Sequence, residues 1–126
     1  EVISRVPKMD LKEIIAFQKK FDEKHGWTWE GQSDKEVLER LKYVTIALSG
    51  EVGELANIVK KALRKNFPEG SMPDADKMEK LREEITDVFI YTILASRVLK
   101  VDLEEAYFKK VKELEIRFKD LERKGP

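Results

Sequence analysis

The residues best placed to do chemistry in this chain are four carboxylates in two sets. Glu51 and Glu54 lie within Gly50-Glu51-Val52-Gly53-Glu54-Leu55, and Glu84 and Asp87 within Glu83-Glu84-Ile85-Thr86-Asp87-Val88. Each set is spaced i, i+3, which keeps its members on neighbouring positions of one helix face. Their setting is what separates them from ordinary surface acids. From Leu41 an apolar seam steps by three and four through Val44, Leu48, Glu51, Leu55, Ile58 and Ala62, and Glu51 stands where the rhythm calls for an apolar side chain. The second seam, Leu81, Glu84, Val88, Tyr91, Ala95 and Val98, is interrupted by Glu84, with Asp87 one turn on. In a chain with 25 acidic residues an isolated E-x-x-E is ordinarily a solvated helix face. These sets, in contrast, sit against apolar seams and in mid-helix, where no N-terminal dipole favours them. A carboxylate held against a core costs on the order of several kcal/mol unless it is compensated. Together the four ask for a bound cation, and magnesium, which takes oxygen ligands and joins a few carboxylates to substrate phosphates, suits that inventory.

Composition narrows the alternatives. At 126 residues the chain is expected to form a single domain, residues 1–126. Charged residues make up 40%, but 25 basic side chains face 25 acidic ones, so no global field draws in a nucleic acid polymer or an anionic membrane. The absence of cysteine removes disulfides, thiolate nucleophiles and zinc-thiolate sites. With His25 as the one histidine, the Glu-x-x-His pairs of di-iron bundles are excluded. No apolar run approaches about 20 residues and no signal-peptide core is present, so a soluble cytoplasmic protein is expected.

The elements that must position the carboxylates read as four helices. After an extended lead-in containing Pro7, Asp10 and Glu13 form a capping-box start, and Leu11, Ile14, Ile15, Gln18 and Phe21 outline one face. His25-Gly26 ends that helix. Both tryptophans, Trp27 and Trp29, then fall in a loop. Ser33 and Glu36 open a long second helix that runs to about Lys65 and carries Glu51 and Glu54. Gly50 and Gly53 inside it are each less favourable than alanine by ~1 kcal/mol, which predicts a bend or a close approach to the backbone. Residues 66–74, with Pro68, Gly70 and Pro73, form a break. The third helix, from Ala75 or Asp76 to Leu99, is apolar on nearly every face over residues 88–94, which calls for burial on more than one side and hence for a partner subunit. Asp102 and Glu105 start the last helix, with Tyr107, Val111, Leu114, Phe118 and Leu121 on one stripe, and residues 123–126 are a solvated tail. The predicted fold is all-α, a four-helix bundle completed by oligomerisation.

The ordered combination of Gly-Glu-Val-Gly-Glu-Leu with a later E-x-x-D running into Val-Phe-Ile-Tyr-Thr-Ile-Leu-Ala resembles the signature of the MazG-type all-α nucleoside triphosphate pyrophosphohydrolases, a superfamily that includes dUTPase and dCTP pyrophosphatase. The likeness runs from the first helix to the last. It implies an enzyme that uses magnesium to hydrolyse a nucleoside triphosphate to the monophosphate and pyrophosphate, in the manner of nucleotide-pool sanitation, and with the apolar third helix the expected assembly is a homodimer or homotetramer. It places the metal on Glu51, Glu54, Glu84 and Asp87, with Glu51 or Glu54 also accepting a proton from the attacking water; Glu83 points about 100° away and ranks below them. The dCTP-pyrophosphatase branch has a histidine and a tryptophan before the long helix, which makes His25, Trp27 and Trp29 candidates for base or sugar contact; a tryptophan that simply pins the loop to the core is the alternative. Lys60, Lys61 and Arg64, beyond the first acidic set, are placed to meet phosphate oxygens or to form a solvated face. Lys110 falls on a lysine used near the phosphates in the family, but Leu114 stands where an asparagine is expected, which leaves substrate preference open. Competing readings are a dUTP/dCTP-type diphosphatase, a phosphoribosyl-ATP pyrophosphohydrolase, or a helical interaction module without catalysis.

Overall fold

A computed structural model describes residues 6–66 and 72–122, leaving aside the side chains of residues 65 and 66. The chain forms four α-helices, α1 (Leu11–Lys24), α2 (Asp34–Asn66), α3 (Ala75–Val98) and α4 (Leu103–Arg117), followed by a single 3-10 turn at Lys119–Leu121. The described residues contain no strand, and the all-α class read from the sequence holds. No described helix is long and apolar enough to cross a membrane. Most of the predicted break at 66–74, the first five residues of the lead-in and the tail at 123–126 lie outside the described residues.

Helix boundaries follow the capping chemistry. The Asp10 carboxylate accepts the Glu13 N–H at 2.8 Å while Glu13 accepts the Asp10 N–H at 3.4 Å, which completes a capping box. At α2 the Ser33 hydroxyl accepts the Glu36 N–H at 3.2 Å, but Glu36 reaches back to the N–H of Gln32 at 2.6 Å, so the reciprocal bond is displaced by one residue. Asp74 and Asp102 cap α3 and α4 by accepting the N–H of Lys77 and Glu105, each at 3.0 Å. Each such cap contributes about 1 kcal/mol. Beyond the end of α1, Gly26 has φ +74°, a left-handed conformation that a Cβ would strain.

The chain divides into two compact units, one drawn from residues 1–28 and 101–126, the other from residues 29–100. In the second, α2 and α3 pack along the predicted seams. Val44, Leu94 and Val98 form its centre, with Trp29, Val37, Leu41, Ile90, Tyr91 and Ala95 packed around them. The loop before α2 is tied to the end of α3 by the buried Arg97 guanidinium, whose Nε and Nη2 donate to Glu30 Oε1 at 3.2 and 3.0 Å. That loop also runs close to α2: a Cβ on Gly31 would lie 2.8 Å from the Val37 nitrogen. Only glycine fits there.

In the first unit Asp22 is buried and accepts from Gln18 Nε2 at 3.0 Å, and its carbonyl takes the N–H groups of His25 and Trp27, which turns the chain at the end of α1. Lys12 and Glu104 pair at 3.6 Å between α1 and α4. The stripe predicted on α4 is only partly realised. Val111 and Leu114 are half-buried as expected, but Tyr107, Phe118 and Leu121 are exposed, and Ala106 rather than Tyr107 takes the half-buried place.

Candidate metal centre

The seams bring three of the four predicted carboxylates together. One oxygen from each of Glu51, Glu84 and Asp87 can be chosen so that all lie within 4.8 Å of one another, and all three side chains are half-buried. The cause is the phase of the two helices: Glu51 occupies an inward position of the α2 seam, Glu84 the corresponding position of α3, and Asp87 follows Glu84 by one turn. Unlike charges are scarce at this point, and the electrostatics show it. The adjacent Glu51 carboxylate, with which Glu84 shares a hydrogen bond when one of them is protonated, raises the Glu84 carboxyl above its ordinary range; burial pushes the same way, and Lys80 only partly opposes them. Glu84 Oε2 is buried with no hydrogen-bond partner. An acceptor oxygen that lacks a donor, in a knot of mutually repelling carboxylates, would be compensated by a cation, and the all-oxygen donor set fits a hard divalent ion.

Glu54 stands outside this triad. Three residues beyond Glu51 on the helix, it is turned about 60° from it and is exposed. Glu83 is exposed as well. Two aromatic residues that the sequence reading did not place in the site belong near it. Burial raises the Tyr91 phenol first, and Tyr43, Glu51 and Asp87 add to the effect, so Tyr91 feels the same carboxylates and remains a neutral phenol at neutral pH. Its spacing from Asp87, i+4 on α3, was the available signal. Tyr43, 60% exposed, has its ring 5.9 Å from that of Trp29.

The two tryptophans fall in different units. Trp29 belongs with α2 and α3: it packs against the Val44, Leu94 and Val98 cluster, sets its ring at a tilt of 31° to that of Tyr43, and keeps its Nε1 buried with no hydrogen-bond partner. The core-anchor alternative therefore describes part of what Trp29 does. Trp27 belongs with α1, half of its surface exposed at 51%, stacked 5.2 Å from His25, whose ring lies 4.4 Å from Phe21. His25 Nδ1 donates to the Phe21 carbonyl at 2.7 Å, so this nitrogen carries the hydrogen. Lys60, Lys61 and Arg64 are all exposed on α2. Seven residues beyond Glu54, Lys61 lies within about 20° of it around the helix, whereas Lys60 is turned about 120° away. Lys110 is exposed on α4 and pairs with Glu113 at 3.9 Å.

Half-buried carboxylates contributed by two packed helices, one of them with an orphaned oxygen, define an all-helical protein with a carboxylate triad that could hold a divalent cation. Residues 40–121 match the MazG nucleotide pyrophosphohydrolase domain, a span that covers well over half of the chain and contains Glu51, Glu54, Glu84 and Asp87, and the chain belongs to that family. It is also similar to the Gene 37 protein of Mycobacterium phage L5, 34% identical over 87 residues that make up 69% of this chain and 74% of the phage protein. His25, Trp27 and Trp29 precede the matched span.

Proposed function

We propose that this protein hydrolyses a nucleoside triphosphate to the monophosphate and pyrophosphate, with magnesium held by Glu51, Glu84 and Asp87. The observation that carries the reading is the Glu84 oxygen, buried without a partner among carboxylates on facing seams. When bound, the ion supplies charge neutralisation for the phosphates and a lowered pKa for water. The bond between the α- and β-phosphates breaks as water attacks in line with the leaving pyrophosphate, and the water's proton passes to a carboxylate. Glu54 is suited to that task, because Glu51 is engaged with Glu84 while Glu54 is exposed one turn away. Lys61, in line with Glu54, meets the departing phosphates, with Arg64 beyond it. The Trp29–Tyr43 pair takes the base, and the His25–Trp27 stack and Lys110 are further candidates for substrate contact.

The working unit is a homodimer or homotetramer. Along the outer face of α2, Thr45, Ser49, Val52, Ala56, Val59 and Leu63 are exposed and uncharged at spacings of three and four. On α3, Phe89, within the 88–94 stretch whose apolarity called for a partner, is 42% exposed, and Ile85, one turn before it, is 57% exposed. Contiguous apolar area of this kind marks an interface. Such an enzyme works in the cytoplasm, where its nucleotides are held, and serves nucleotide-pool sanitation. Pyrophosphate release from a panel of ribo- and deoxyribonucleoside triphosphates and phosphoribosyl-ATP, with and without magnesium, tests the reading. Turnover confined to phosphoribosyl-ATP would move the protein to that branch. No release from any of them would leave the non-catalytic interaction module.

A further inference from the structure

The uninterrupted helix α2, 33 residues long, contains two glycines, Gly50 and Gly53, for which the described residues supply no use. Glycine is less favourable than alanine inside a helix, and it is kept where a helix breaks, where another segment packs closely, or where a ligand must approach the backbone. The first two explanations fail here: the helix is continuous from Asp34 to Asn66, and a Cβ added at either position would meet nothing within 4 Å. What needs the missing side chain lies outside the described residues.

Helix geometry separates the two positions. Gly50 precedes Glu51 and shares a face with Ala47 and Glu54, at i−3 and i+4, and with Tyr43, seven residues and about 10 Å toward the N-terminus. Between the exposed Tyr43 ring and the carboxylate triad lie the small residues Ala47 and Gly50, flanked on the side away from Glu51 by the exposed Ile46, at i−4 of Gly50. Gly53 is turned about 60° from Gly50, toward the outer face of Ser49 and Ala56. Resting on the nucleotide reading above, we infer that Gly50 is a specificity-determining position, the place where the sugar of a nucleoside triphosphate lies against the α2 backbone. The base then points toward the N-terminal end of α2 and the phosphates toward Glu51, Glu54 and Lys61. A methyl group at position 50 would occupy the space of the sugar and leave the metal and the phosphates untouched.

The test compares Gly50→Ala and Gly53→Ala with the wild type in three measurements: melting temperature, magnesium-dependent hydrolysis of nucleoside triphosphates, and competition by inorganic tripolyphosphate, which has no sugar. Both variants are expected to melt higher than the wild type, as alanine favours the helix. Gly50→Ala is expected to raise KM for nucleotides at least tenfold while its inhibition constant for tripolyphosphate stays within twofold, and Gly53→Ala to keep wild-type KM. An unchanged KM in Gly50→Ala overturns the inference, as does an equal loss of nucleotide and tripolyphosphate affinity, which would place the damage at the metal. A change in the oligomeric state of Gly50→Ala also overturns it, assigning the open space to a second copy of the chain. The wild-type control reads the function separately: if it releases no pyrophosphate, the nucleotide reading itself has failed.

Discussion

Glu51 on α2 and Glu84 on α3 bring carboxylate oxygens within 4.8 Å of each other and of Asp87, across two helices whose seams are otherwise apolar. Neither residue is near a helix N-terminus, so no dipole favours the pair. Their proximity is a standing cost in the metal-free protein, and it sets a pH dependence. Glu84 holds its proton to higher pH than an ordinary glutamate. Below the ordinary glutamate range the folded and unfolded chains are both protonated and the pair costs nothing. As pH rises through that range the unfolded chain releases its proton first, and the folded state loses stability until the raised pKa of Glu84 is passed. Metal-free Glu84→Gln is therefore expected to melt a few degrees higher than the wild type at pH 7 and at nearly the same temperature near pH 4. Magnesium must displace the retained proton, so its stabilisation of the wild type should weaken as pH falls, beginning above the usual glutamate range. Thermal melts with and without magnesium from pH 4 to pH 8 check both.

The different placements of Glu54 and Asp87 predict different losses. Asp87→Asn removes a ligand of the triad and is expected to abolish both turnover and the magnesium-induced rise in melting temperature. Glu54→Gln leaves the triad intact; it should keep that rise while kcat falls by about 10²-fold or more, the scale of a lost general base. A Glu54→Gln enzyme with wild-type kcat would remove Glu54 from the reaction.

For base recognition the informative residue is Tyr43, because its ring is exposed while Trp29 is also part of the core. Stacking of a base on an aromatic ring contributes about 1–3 kcal/mol. Tyr43→Ala is expected to raise KM about tenfold with little change in kcat or melting temperature, whereas Trp29→Ala should lower the melting temperature as well. Were Trp27→Ala to raise KM and Tyr43→Ala to leave it unchanged, the base would belong on the His25–Trp27 stack. Steady-state kinetics beside thermal melts separate these outcomes.

Self-association is expected through the outer face of α2. Val59→Asp puts a charge into the exposed stretch of Val52, Ala56 and Leu63, and should convert a dimer or tetramer to monomer. Light scattering coupled to size exclusion measures it. A wild-type chain that runs as a monodisperse species of 14.7 kDa at micromolar concentration would exclude the proposed assembly.

Much of this architecture was legible in the order of residues, and the places where it was not have physical causes. Glu51 and Glu84 announced themselves because each broke an apolar rhythm, and both seams pack as that rhythm required. Asp87, three residues on from Glu84, joins the triad while Glu54, three residues on from Glu51, is exposed; the equal spacing of the two acidic sets gave the sequence no means of telling them apart. Tyr43 could not be found from spacing alone, because its partner Trp29 comes from a loop whose path depends on the Glu30–Arg97 bond, between residues 67 apart, and on the close passage of Gly31. On α4 the adjacent aromatics Tyr107 and Phe108 gave periodicity no means of choosing a face, and the two rings, 5.4 Å apart, both remain exposed.

The most direct measurement is product analysis of nucleoside triphosphates incubated with wild-type enzyme and with Asp87→Asn, with and without magnesium. The expected result is one pyrophosphate and one nucleoside monophosphate per substrate consumed, released by the wild type only when magnesium is present, and by Asp87→Asn not at all. Release of orthophosphate and the diphosphate, or magnesium-dependent turnover that survives in Asp87→Asn, would contradict the assignment of this triad to pyrophosphate release.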